Sequence, residues 1–120
     1  MTAPVVLLDS VTEVTAAHAG YVVVTGSHGG RSVVRYALAV PARLYVFNDA
    51  GVGKDDAGIA ALAELDAAGQ AAVAVAHTSA RIGEAQDTWG GVISRANRAA
   101  EAAGYRVGEP LWAAVEARAG

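Results

Sequence analysis

Residues 21–32, YVVVTGSHGGRS, read as a buried strand that runs directly into a glycine-rich turn. Tyr21 to Val24 are aromatic or β-branched and favour extended backbone, while Gly26, Gly29 and Gly30 permit angles and close approaches that a side chain forbids. Val33, Val34, Ala37 and Leu38 then recur at helical spacing. Ser27, His28, Arg31 and Ser32 therefore fall between the C-terminal end of a strand and the N-terminal end of a helix, where open α/β sheets place their ligands.

The same unit recurs on both sides. Val5 to Leu8 is an apolar run ending at Asp9, and Ser10 with Glu13 fits a capping box that opens a helix through Ala17 or Ala19, stopped by Gly20. The next strand covers 21–25 and its helix 31–39, which Pro41 ends. Leu44 to Phe47 reads as a third strand. After the loop AGVGKDDAG, Asp55 or Asp56 can cap a helix whose Ile59, Leu62 and Leu65 share one face, with Gly69 at C′. Ala71 to Ala76 is a fourth strand. A helix from Gly91 would align Val92, Ile93, Ala96, Ala99 and Ala103 before Gly104, and Pro110 would open a last helix to Arg118, with 105–107 as an alternative edge strand. Apolar runs alternating with helical ones predict the α/β class, as one three-layer αβα domain over residues 1–120. Its sheet should be mostly parallel, with four or five strands, Rossmann-like or flavodoxin-like.

Composition narrows the function. The protein has 120 residues and no cysteine, so thiolate catalysis, cysteine-ligated metals and disulfides are excluded, and no staple is needed for a domain of this size. A net charge of -3 with scattered Lys and Arg offers no basic stripe for nucleic acid. No apolar run approaches the roughly 20 residues that span a bilayer, so no membrane partner is expected and a cytoplasmic location is the default.

Parallel strands place Asp9, His28, Asn48, Asp49 and His77 along one sheet edge. Three loops there carry chemistry. GSHGGRS offers backbone N–H groups of Gly26, Gly29 and Gly30 with Ser27, His28 and Arg31; NDAGVGKDD offers Asn48, Asp49 and Lys54; HTSARIGEA offers His77, Ser79 and Arg81. Glycine turns entering helices favour anions, so Gly26, Ser27, Gly29, Gly30, Arg31, Asn48 and Arg81 are the candidate substrate-binding residues. His28, Lys54, Asp49, His77 and Ser79 are the candidate catalytic residues, because imidazoles exchange protons near neutral pH and the glycines of GVGKD would let Lys54 fold back over the sheet edge. Each also has a plainer role: glycines form turns, Asn48 and Asp49 can bond nearby backbone, and His77 can sit satisfied in the core. Ser79 reads either as the N-cap of a turn at Ala80 or as a nucleophile activated by Lys54 or His77. A metal on His28, His77 and Asp49 would need three separate loops and has no local ligand spacing behind it, so neither metal nor cofactor is expected.

In GSHGG, FNDAGVGKDDAG and SARIGEA the sequence resembles a group of small bacterial α/β proteins that carry these motifs in this order, from Asp9 to about Asn97. The resemblance implies a family but no activity. A fainter similarity is to caspase-like peptidases, in which a strand ends in His-Gly and the next in the catalytic cysteine; His28 and Gly29 match the first, whereas Ala50 stands near the cysteine position. That similarity implies architecture without peptidase activity.

The expectation is an enzyme, a hydrolase or a lyase/isomerase, acting on a small carboxylate- or phosphate-bearing metabolite at the C-terminal edge of the sheet. The alternative is a non-catalytic metabolite-binding or regulatory subunit. Trp89 would serve as a lid or pack against a neighbour or a second subunit, and uncovered sheet edges suggest a homo-oligomer.

Overall fold

The computed structural model describes residues 3–51 and 59–118. Five strands form one sheet in the order β1-β2-β3-β4-β5: β1 (Val5–Leu8), β2 (Val22–His28), β3 (Leu44–Asn48), β4 (Ala72–Val75) and β5 (Ile93–Ala96). The first four run parallel and β5 is antiparallel to β4. The α/β class and the mostly parallel sheet stand as expected. The strand order, which the sequence left open, is sequential across the sheet.

Sequential order decides where the helices go. Right-handed crossovers between neighbouring parallel strands all fall on one face. On that face lie the 3₁₀ turns Val11–Glu13 and Arg31–Val33, α1 (Val34–Ala39) and α2 (Ala60–Ala67), which bury Val11, Val33, Val34, Ala37, Leu62 and Leu65 against Val23, Tyr45, Phe47, Ala72 and Ala74. The alternate residues Val22, Val24, Leu44, Val46, Val73 and Val75 would otherwise meet water. The segment that follows β4 covers them with α3 (Ala85–Trp89), α4 (Arg98–Ala102) and α5 (Leu111–Arg118). Trp89 packs against this second core.

The region after β4 departs from the sequence reading. In place of one helix from Gly91 to Gly104 there are β5 and then the short α4, and α3 precedes them in a stretch for which the sequence predicts no helix. The β4–β5 connection crosses above β1 and β2, where Gly83 N donates to Gly26 O (2.6 Å) and Ala85 N to the Asp9 carboxylate (2.9 Å). These bonds hold the connection, including the five-residue α3, over the C-terminal ends of β1 and β2. The next strand therefore starts from the same edge and runs antiparallel. Asn97 separates β5 from α4: its Oδ1 accepts from Ala72 N and Ala100 N, and its Nδ2 donates to the carbonyls of Leu62 and Gln70. Such a fully used buried amide fixes a strand end and a helix start at one point.

Smaller differences follow from local chemistry. The Ser10–Glu13 capping box is present, yet it opens a single 3₁₀ turn, and a second such turn follows at Ala16–His18. Residues 105–107 form no strand, although Tyr105 is buried. Gly69 sits at φ +77 after α2, as a C′ glycine does. β1 is an edge strand with Val5 and Leu7 about 40% exposed. No described helix is long and apolar enough to cross a membrane.

Tyr45 provides a test of this core. Its ring is fully buried and its hydroxyl donates to Val40 O, and burial pushes its pKa up to about 12. Tyr45→Phe should lower stability by about 1–2 kcal/mol at pH 7, because Val40 O loses its partner. A pKa raised on folding gives stability that is complete below the unfolded value near 10 and fades as pH rises through about 12. Urea titrations should therefore show the gap between wild type and variant closing only above about pH 10.

Candidate functional site

Register fixes the site. His28 pairs with Asn48, and Asn48 with Val75, so the ends of β2, β3 and β4 lie side by side on the C-terminal edge. Asp49 follows Asn48 and His77 follows Val75 by two residues, which brings those two side chains together. His28 starts two strand spacings from β4, about 10 Å at the backbone.

The centre of the edge is Asp49. Its side chain is only 7% exposed, yet the carboxylate accepts several hydrogen bonds. Oδ1 receives Gly51 N (2.8 Å) and His77 N (3.0 Å) and lies 3.1 Å from His77 Nδ1; Oδ2 receives the Ser94 hydroxyl (2.7 Å). Burial alone would raise the pKa of this carboxyl. The bonds from Ser94, Gly51 and His77 favour the anion more strongly and hold it below the ordinary range. An ionised carboxylate only accepts, so Nδ1 of His77 carries a proton, and in the neutral tautomer Nε2 presents its lone pair. The ring is half exposed and rests on Gly51, whose missing Cβ would lie 3.5 Å from Cε1. Ala50 between Asp49 and Gly51 is the one non-glycine described residue at positive φ (+53), with its N–H held by Asn48 Oδ1 (2.7 Å).

Ser94 was absent from the sequence reading. In β5 the register slips so that Ala74 pairs with Arg95 and Val75 with Ile93, leaving Ser94 as the extra residue of a bulge. Bulges re-aim side chains, and this one turns the hydroxyl onto Asp49. Once 92–96 is read as helix, no sequence signal points to it; Gly90-Gly91 ahead of two β-branched residues was the available hint.

The other candidates are placed as follows. Asn48 is buried and braces the edge, with Nδ2 donating to Ala80 O (2.9 Å). In the GSHGG turn, Gly29 N donates to Asn48 O and Gly30 N to His28 Nδ1, so these N–H groups are spent within the protein and do not form an open anion cradle. Gly26 is buried beneath the 83–84 backbone and Ser27 Oγ accepts Val11 N (2.9 Å). Ser79 Oγ donates to Ala76 O (2.8 Å) and accepts Val92 N (3.1 Å), so it ties the turn after β4 to the residue before β5 instead of capping a turn at Ala80. Arg31 leans on Glu64 (3.6 Å) and Arg81 on Glu84 and Asp87 (3.7 and 3.6 Å), so the two guanidiniums do not converge. Lys54, with Asp55 and Asp56, lies outside the described residues. Among the described residues no three His, Asp or Glu side chains are grouped closely enough to share a metal ion.

Models of known families, curated proteins and solved structures give no match to this sequence.

Proposed function

We propose that the protein is an enzyme of the hydrolase or lyase/isomerase type in which His77 moves a proton on a small carboxylate- or phosphate-bearing metabolite. The observation that carries this reading is the 3.1 Å contact between a buried carboxylate and Nδ1 of a half-exposed imidazole. Asp49 fixes tautomer and orientation, and Nε2 faces outward as the base; the imidazolium formed on taking a proton is stabilised by the same carboxylate. Ser94 positions Asp49 from behind. Arg31 and Arg81 are more than 80% exposed and hold their carboxylates in long, solvent-screened pairs. Such pairs contribute about 0–1 kcal/mol, so either guanidinium can turn singly to an anion at little cost, without the two forming a shared clamp.

The test starts without a substrate. Nitrogen NMR should show neutral His77 as the Nδ1-protonated tautomer, and Asp49→Asn should mix the tautomers. In turnover screens of small carboxylates and phosphate esters, His77→Gln should lower kcat on any accepted compound by about 10²- to 10⁴-fold while leaving the fold intact. Equal turnover by wild type and variant would remove His77 from the mechanism.

A second reading, a metabolite-binding or regulatory subunit, is favoured by the committed hydroxyls of Ser27 and Ser79 and by Ala50 near the cysteine position of caspase-like peptidases. Ligand-induced stabilisation with no product across the same compounds would establish it.

A further inference from the structure

A groove of about 410 Å³ opens beside the ends of β1 and β2, and neither Asp49 nor His77 lines it. Its wall includes Asp9, His28, Ser32, Arg35, Tyr36 and Ile82. Two opposite charges face this space. Asp9 uses Oδ1 to accept Ala85 N, and Arg35 donates to the neighbouring Tyr36 hydroxyl (3.0 Å) with its guanidinium 4.9 Å from that ring. Neither is in an ion pair with a described residue. His28 Nδ1 accepts Gly30 N, so a neutral His28 carries its proton on Nε2 and adds a donor to the wall.

The charge balance selects the ligand. Arg35 and the His28 and Ser32 donors suit a carboxylate, which a planar guanidinium can hold through two parallel bonds. A dianionic phosphate would meet the Asp9 carboxylate across the same groove, whereas an ammonium would be welcomed there. We propose that this groove binds a small zwitterion, with its carboxylate on Arg35 and His28 and its ammonium on Asp9. Its volume falls within the range of small-molecule pockets and admits an ω-amino acid or a dipeptide as well as an α-amino acid, with Ile82 along the apolar part. This site stands apart from the His77 reading and does not depend on it.

Calorimetric titration of the 120-residue chain with α-amino acids, ω-amino acids and dipeptides, each beside its deaminated acid and its decarboxylated amine, tests the proposal. At least one zwitterion should bind with a Kd of about 1 mM or tighter, and loss of either charged end should weaken it roughly tenfold or more. Arg35→Gln should erase the discrimination against the amine, and Asp9→Asn, which keeps an oxygen for Ala85 N, the discrimination against the acid. Absence of binding by every zwitterion up to about 10 mM would overturn it. So would equal affinity for the deaminated acid, or binding weakened by His77→Gln and untouched by both groove variants.

Discussion

Asp49→Ala is expected to lower the unfolding free energy by about 3 kcal/mol, a large part of the roughly 5–15 kcal/mol typical of a small domain, and to lower Tm by roughly 10 °C. The loss arises from the donors left behind. Gly51 N, His77 N and the Ser94 hydroxyl all point at a carboxylate that is 7% exposed, and alanine offers them nothing. Asp49→Asn retains an oxygen for Gly51 and His77 and turns its amide to Ser94, whose hydroxyl can accept. It should cost about 1 kcal/mol. The two variants also separate charge from hydrogen bonding through pH. A carboxyl with a depressed folded pKa gives stability that is present above the unfolded value, near 3.9, and is lost as pH falls through the folded value. Wild type should therefore lose its advantage over Asp49→Asn only below about pH 4, and urea titrations at successive pH values measure this. A gap that stayed constant down to about pH 2 would mean that folding does not hold the Asp49 pKa below its unfolded value.

What the sequence made legible was the part dictated by strong local patterns. Four apolar runs each ending in polar residues predicted parallel strands, and parallel strands put His28, Asp49 and His77 on one edge, where they are. The contact between Asp49 and His77 follows from that register, but its geometry does not, because both residues lie in loops beyond the last paired position. Val92–Ala96 fits a helical and an extended period equally well over so few residues. Only tertiary bonds decide it, through Asn97 and the short α3, and with β5 hidden Ser94 was hidden too. Arg31 and Arg81 illustrate a different limit. Composition shows that a cation is present, not which carboxylate it meets, and both turn to glutamates or aspartates close at hand. Gly26, grouped with the ligand-binding glycines on pattern alone, has a separate reason to be glycine.

That reason is close backbone approach, and Gly26→Ala should expose it. A Cβ built there would collide with Glu84 N and Gly83 C and come within 2.8 Å of Asp9 O. None of these is a flexible side-chain end; all belong to the backbone where the β4–β5 connection crosses β2. The connection cannot lift away cheaply, because Gly83 N is bonded to Gly26 O and Ala85 N to Asp9. Overpacking in well-packed positions costs about 1–3 kcal/mol, and here the displaced atoms also carry hydrogen bonds, so a loss of about 3 kcal/mol or more is expected. Gly69→Ala is the internal standard. Gly69 has nothing within 4 Å of its Cβ position, and its only obstacle is φ +77, which costs an L-residue about 1–2 kcal/mol. Equal destabilisation of the two variants in parallel denaturation would show that the crossing is loose. A larger loss at Gly26, with hydrogen exchange accelerated in residues 81–85, would locate the strain at the seam that brings Asp9 and Ile82 together over the groove.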